Sequence, residues 1–318
     1  MSVRNCILLA TYNGEKYIEQ LLESLDFIEN ESSFLVVNDD GSQDGTIDIL
    51  RGFERKFSGR VFINENLSGE HGALNNFRDL ISKAPPADYY FFCDQDDVWV
   101  KNKIPKMIGV MQNAEAAHGV DCPILAHSDL FVVDKDLKKI GNSFFEYQNL
   151  YSDKSGFNDI LCQNIVTGCA SVINRKLCRL MANVPAEAIM HDWWAALVAS
   201  AFGKIVFNNE SLVYYRQHDS NSVGAKKWTI SSVAKKLSLV FSRKRSQKVV
   251  APLFIQAKSF CSIYCDKLDL AKRGIILDFL CIEKRNVVQK IILLVKNKFS
   301  KNGMLRTLGF YFVVLRSI

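Results

Sequence analysis

Three carboxylates, Asp94, Asp96 and Asp97, fall within the run DQDDVW (94–99). Charges of one sign held this close repel. A hard divalent cation such as Mg²⁺ or Mn²⁺, which prefers oxygen ligands, relieves that repulsion and commonly joins one or two carboxylates to substrate phosphates. The cluster therefore fits a cation bridging the protein to a diphosphate, with a solvated acidic turn as the competing reading. A second pair, Asp39 and Asp40, sits in NDDGSQDGT (38–46), a segment also rich in turn formers. A third group is His191-Asp192-Trp193-Trp194. There Asp192 either caps a helix or acts as a general base, its pKa raised by a partly apolar pocket whose indole faces can stack on a sugar. The run Tyr215-Arg216-Gln217-His218 closes the set. His218 offers a neutral imidazole to the same cation and Arg216 a guanidinium to offset diphosphate charge, unless both are structural.

These residues need elements to position them. Hydrophobic patterning predicts strands at Cys6–Ala10, Phe34–Val37, Val61–Ile63 and Tyr89–Cys93. They alternate with helices over Gly14–Ile28, Thr46–Phe53, Leu74–Ile81 and Lys101–Ala117, with Asp44 or Ser42 as the cap of the second helix. Strand–helix alternation argues an α/β, doubly wound and mostly parallel sheet, whose ligands bind beyond the carboxyl ends of its strands. Three of those ends run into polar clusters: Thr11-Tyr12-Asn13-Gly14, Asn38-Asp39-Asp40 and Asp94-Gln95-Asp96-Asp97. They should meet on one edge of one sheet. Further strands are expected at Ile124–Ala126, Leu130–Val133, Ala170–Ile173, Ile205–Phe207 and Leu212–Tyr215, with a helix over Trp193–Phe202. From about residue 225 the chain reads as helical, with 225–248 as a linker or surface arm.

Composition narrows the class. The 318 residues are 48% hydrophobic and 23% charged, an ordinary globular mix that excludes wholesale disorder and small disulfide scaffolds. No apolar run reaches the roughly 18 residues of a membrane-spanning helix. Charge is unevenly spread. Residues 1–224 hold 20 Lys+Arg against 30 Asp+Glu, whereas 225–318 hold 20 against 4. An acidic body with a strongly basic tail points to an anionic surface as the tail's partner. Apolar clusters interleave with the cations, which favours a membrane interface over nucleic acid, and no nucleic-acid reading motif is present. The nine cysteines form no CxxC pair, and the N-terminus lacks a secretory h-region, so a cytoplasmic location is expected. A P-loop, a GxGxxG turn after the first strand, a GxSxG elbow and an HExxH helix are all missing, which disfavours the corresponding kinases, oxidoreductases, hydrolases and zinc proteases.

The ordered set ATYNG (10–14), VVNDDGSQDGT (36–46), DQDDVW (94–99), TGCASVINR (167–175), HDWW (191–194) and YRQH (215–218) resembles glycosyltransferase family 2, and more narrowly bacterial rhamnosyltransferases of O-antigen and polysaccharide assembly. The resemblance spans residues 3–224. It implies a GT-A type fold, a nucleotide-sugar donor, a Mn²⁺ or Mg²⁺ cofactor and an inverting single displacement. Carried over by position, Ala10, Tyr12, Asn13, Asp39, Asp40, Asp94, Gln95, Asp96 and Arg216 resemble contacts of the nucleotide sugar. Asp40 would accept from the ring N–H of uracil or thymine. Asp94, Asp96 and His218 resemble metal ligands, and Asp192 resembles the catalytic base. Gly168, Cys169, His191, Trp193 and Trp194 would line the acceptor side, Gly168 permitting close backbone approach. Ala10 stands where many relatives carry Pro, and Asn38 where an apolar residue or Asp is commoner. Neither change removes a side chain the chemistry needs.

The resulting expectation is a glycosyltransferase domain over 1–224 and a basic helical region over 225–318. The reaction would move a sugar, L-rhamnose from dTDP-rhamnose or a hexose from a UDP donor, to a hydroxyl of a lipid-linked saccharide at the inner face of the membrane. The competing readings are a nucleotidyltransferase, for which TYNGEKY supplies only Lys16, and a non-catalytic sugar-nucleotide binding module.

Overall fold

The apolar run at the N-terminus becomes the centre of a sheet. In the computed structural model, which describes residues 3–25, 32–66, 70–218, 224, 227 and 243–317, β1 (Asn5–Thr11) lies between β2 (Ser33–Asp39) and β4 (Tyr89–Asp94), parallel to both. β3 (Val61–Glu65) extends the parallel set beyond β2. Strands flanked on both edges and covered on both faces read as unbroken apolar runs, which is why β1 and β4 show no alternation. Cys6, Ile7, Leu8 and Leu9 are fully buried.

The sheet runs β3-β2-β1-β4-β8-β6-β9-β5, with β7 (Lys139–Gly141) paired to β6. β8 (Ser171–Asn174) is antiparallel to both neighbours, β6 (Ile124–Val133) is parallel to β9 (Lys204–Arg216), and β5 (Val98–Trp99) pairs antiparallel with β9. Each of the long strands joins two expected short ones. The polar interruption in β6 is a register shift at Ser128/Asp129, not a chain reversal. There the buried Asp129 accepts from the backbone N–H groups of Leu130, Phe144 and Phe145. A hydrogen-bonded carboxylate inside a strand reads as a loop in sequence, because only the fold shows its donors.

Helices α1 (Glu15–Ser24), α2 (Thr46–Lys56), α3 (Ala73–Ser82) and α4 (Lys103–His118) follow the expected crossovers. Residues 26–28 of the predicted first helix lie outside the described residues. The cap of α2 is Gly45; Asp44 still accepts from Thr46 N–H, while Ser42 bonds Asp39 instead. The middle region adds α5 (Phe144–Gln148), α6 (Phe157–Cys162), α7 (Arg175–Leu180) and α8 (His191–Phe202).

The C-terminal region forms α9 (Arg243–Tyr264), α10 (Leu270–Cys281), α11 (Val287–Lys296) and α12 (Met304–Ser317). Phe260 and Tyr264 of α9 pack on Trp194 and Phe202 of α8, and Phe157 of α6 joins them. These helices thus share one core with the α/β body. Most of the expected arm, residues 225–226 and 228–242, lies outside the described residues.

Candidate active site

Parallel register aligns the strand ends. Thr11 sits opposite Asp39, and Ala10 opposite Asp94, so the three polar clusters share one edge. They open into a cleft of about 1580 Å³. Of the residues expected from sequence, Ala10, Tyr12, Asn13, Asp40, Asp94, Gln95, Asp96, Gly168, His191, Asp192, Trp193 and His218 line it.

The first turn is fixed by a two-point clamp. Gln95 Oε1 accepts from Tyr12 N–H at 2.8 Å and Gln95 Nε2 donates to Tyr12 carbonyl at 2.8 Å. A Cβ on Gly14 would stand 2.4 Å from Gln95 Oε1, so a larger residue there would displace the Gln95 clamp. Asp40 accepts from Asn66 Nδ2, from Gly72 N–H at 2.6 Å, and pairs with His71 Nδ1 at 3.0 Å. Asn66 and His71 were not anticipated. They follow β3, and the strand-end rule applied to that strand would have found them.

Asp96 and His218 meet at the cleft, with Oδ2 to Nε2 at 2.8 Å, and His218 stacks on Tyr17. Asp94 is pushed up to about 7, first by burial and then by repulsion from Asp96 and Asp192. The Lys103 ammonium only partly offsets these effects. Among the described residues, the ligand atoms of Asp94, Asp97 and Cys169 lie within 4.8 Å of one another, a convergence that would suit a divalent cation, while Asp96 and His218 pair beside them.

Asp192 lies in the first turn of α8 and lines the same cleft. Its Oδ2 accepts from Gly168 N–H at 3.0 Å and its Oδ1 from Trp193 N–H at 2.6 Å. Burial raises it to about 6, while those backbone bonds pull the other way. His191 is stacked on Phe77 at 3.7 Å and held neutral by burial, its pKa lowered to about 3. A Cβ on Gly168 would stand 2.7 Å from His191 Nε2, the close approach expected of that glycine. Trp193 is half-buried, its Nε1–H donating to Ile160 carbonyl.

Four expected contacts lie elsewhere. Asp39 is buried behind the turn, accepting from Thr11 Oγ1, Gly41 N–H and Ser42 N–H. It braces the loop that carries Asp40. Cys169 is fully buried, its carbonyl accepting from Lys103 Nζ at 2.6 Å. Trp194 is fully buried against α9 and offers no face to a sugar. Arg216 is 2% exposed, and its guanidinium donates to the carbonyls of Asp96 and Lys135 and to Gln20 Oε1 over the Tyr17 ring. It fastens the acidic loop from behind and does not reach the cleft. Asp97 likewise turns inward, accepting from Arg216 N–H, with its pKa raised by burial and by Asp96 and Asp94. Lys103, unanticipated from sequence, is a fully buried cation 3.3 Å from the Trp99 ring centroid. It is the positive charge that opposes this carboxylate cluster, and burial lowers its pKa to about 8.

Comparison with known proteins agrees with this geometry. The model of Glycosyl transferase family 2 matches residues 6–179. The chain belongs to glycosyltransferase family 2. It is 27% identical over 222 residues to dTDP-rhamnosyl transferase RfbG of Shigella flexneri, covering 68% of this chain and 74% of that protein. It is 26% identical over 275 residues to the putative teichuronic acid biosynthesis glycosyltransferase TuaG of Bacillus subtilis (strain 168), covering 84% and 96%. Its fold resembles the crystal structure of S. aureus TarS 1-349 in complex with UDP-GlcNAc, with TM-score 0.55, 15% identity and coverage of 98% and 90%. The mannosyltransferase PcManGT from Pyrobaculum calidifontis, in complex with GDP-Man and Mn2+, gives TM-score 0.51 at 14% identity, covering 100% and 86%. As a member of this family the chain is a glycosyltransferase on the expected GT-A type fold.

Proposed function

We propose that this glycosyltransferase moves a sugar from a nucleotide-sugar donor to a hydroxyl of a saccharide acceptor by a single inverting displacement. One observation carries the reading. Asp192, a half-buried carboxylate with a pKa near 6, lines the same cleft as Asp94, Asp96 and His218. A base poised near the working pH in the same cleft as a leaving-group site is what direct displacement requires. Asp192 takes the proton of the acceptor hydroxyl as that oxygen attacks the anomeric carbon. Gly168 N–H and Trp193 N–H hold its carboxylate in place. Asp40, with Asn66 and His71, forms the polar end for the nucleobase. A bound Mn²⁺ or Mg²⁺ supplies positive charge against the diphosphate as it departs. Trp193 and Gly168 border the acceptor side.

The donor we favour is dTDP-rhamnose, supported by the likeness to RfbG. A UDP-hexose is the second reading, supported by 36% identity over 94 residues to the poly(ribitol-phosphate) beta-N-acetylglucosaminyltransferase TarS. Thymine and uracil present the same N–H and carbonyl edge, so the Asp40 cluster accepts either. We place the enzyme at the inner face of the cell membrane with a lipid-linked acceptor, supported by the basic C-terminal region.

The test is a donor screen by thermal stabilisation and slow donor hydrolysis, with Mn²⁺ or Mg²⁺ and Asp96→Ala as control. The reading expects cation-dependent stabilisation by one donor that Asp96→Ala loses. Folded protein that no nucleotide sugar stabilises would overturn it.

A further inference from the structure

The C-terminal helices carry an apolar face that the core does not use. In α11, Lys290 and Leu294 are buried, whereas Val287, Val288, Ile291, Ile292 and Val295 are 54, 66, 43, 56 and 60% exposed. At 100° per residue these five side chains fill one arc of roughly 140°. A surface helix normally turns its polar side to water; this one is apolar on the outside as well. The first two turns of α12 add exposed Met304 and Leu308. Ten residues are too few to cross a bilayer, and no helix among the described residues is long and apolar enough to do so. A helix of this kind lies along an interface.

Charge selects the occupant. Lys284 and Arg285 precede α11 and Lys298 follows it, all exposed. A second copy of the chain would bring those cations against their own kind, whereas anionic headgroups complement them. The same helices are buckled to the cleft. Arg306 donates to the carbonyls of Gln148 and Asn149, and Asn302 accepts from Tyr151 N–H while donating its own N–H to Gln163 Oε1. Gln148 and Gln163 line the cleft.

We propose that the exposed face of α11, with the start of α12, seats in the interface of an anionic bilayer, and that the Asn302–Arg306 buckle thereby holds the acceptor end of the cleft at the lipid surface. The second half rests on the lipid-linked acceptor proposed above; the docking face does not.

The experiment is co-sedimentation of the full chain with vesicles of phosphatidylcholine, with and without phosphatidylglycerol. Wild type should pellet with the mixed vesicles and stay soluble with the neutral ones. Val288→Glu/Ile292→Glu should weaken that binding at least about tenfold, and Lys284→Glu/Lys298→Glu should weaken it in a salt-sensitive way. Because these side chains are exposed, melting temperature and donor hydrolysis should match wild type in both variants. Wild type that ignores mixed vesicles, binding untouched by Val288→Glu/Ile292→Glu, or a wild-type dimer in sedimentation velocity that this variant dissociates would each overturn the proposal. Donor hydrolysis measured in the same preparation separates the two ideas: vesicle binding without hydrolysis of any donor rejects the transfer reading and leaves the docking face standing.

Discussion

Replacing Asp192 by Asn should sharply reduce turnover and make the protein more stable. Burial raises this carboxyl from 3.8 to about 6. That gap of roughly two units corresponds to about 3 kcal/mol of differential interaction. The sign follows from linkage. A folded pKa above the unfolded value means the fold prefers the protonated acid, so the stability is intact below pH 3.8 and is lost as pH rises to about 6. Above that pH the wild type carries the whole cost. Asn cannot ionise, and its single carbonyl serves only one of the two N–H donors, Gly168 and Trp193. Losing one bond costs about 1 kcal/mol. The variant should therefore lead by about 2 kcal/mol at pH 8 and lose that lead below about pH 4.

The assay is thermal melting from acid to pH 8, with chelator present so that no cation compensates the carboxylates. A lead of about 2 kcal/mol amounts to about 3 °C in a chain of this size. Turnover with the identified donor should fall by about 10²–10⁴-fold, while donor-induced stabilisation stays. In wild type, kcat/KM should fall below about pH 6, where Asp192 gains its proton. A variant that melts lower at pH 8, a melting difference independent of pH, or retained turnover would each refute the reasoning.

Gly168→Ala should cost about 1–3 kcal/mol, since a Cβ would press on His191 Nε2 at 2.7 Å and that ring is backed by Phe77. Melting would show that loss, and kinetics should show reduced turnover without weaker donor binding, because the displaced N–H serves Asp192. Arg216→Lys should cost about 2 kcal/mol, since one ammonium cannot replace a guanidinium bonded to Asp96, Lys135 and Gln20. Its affinity for Mn²⁺ should drop about tenfold through the loosened Asp96 loop, which a Mn²⁺ titration followed by thermal stabilisation would measure.

The first half of the fold was legible because its strands are apolar runs and its helices carry apolar faces at helical spacing. The middle was less so. Buried polar residues such as Asp129 interrupt strands that continue, and their donors, Phe144 N–H and Phe145 N–H, come from another element. The packing of the C-terminal helices was not legible at all. Phe260 meets Trp194 through a contact that no local pattern encodes.

The site shows a sharper limit. Sequence placed the polar clusters on one edge of the sheet, where they are found, but could not choose within adjacent pairs. Asp39 and Asp40 are one residue apart; Asp39 bonds inward to Thr11 and Ser42, and Asp40 lines the cleft. Asp96 and Asp97 divide the same way, Asp97 turning to Arg216 N–H. In both pairs the chain is leaving its strand, and the hydrogen bonds of the inward carboxylate leave only its neighbour to the cleft. Trp193 and Trp194 divide on a helix, where roughly 100° separates them: one borders the cleft and the other packs on α9. Residue type names the pair, and the phase of the element against the core picks the member. In all three pairs the inward partner acts on the outward one's surroundings: Asp39 braces the loop of Asp40, Asp97 ties the loop of Asp96 to Arg216, and Trp194 pins α8 beneath Trp193. Each doubled pair thus divides into an outward side chain and its inward support.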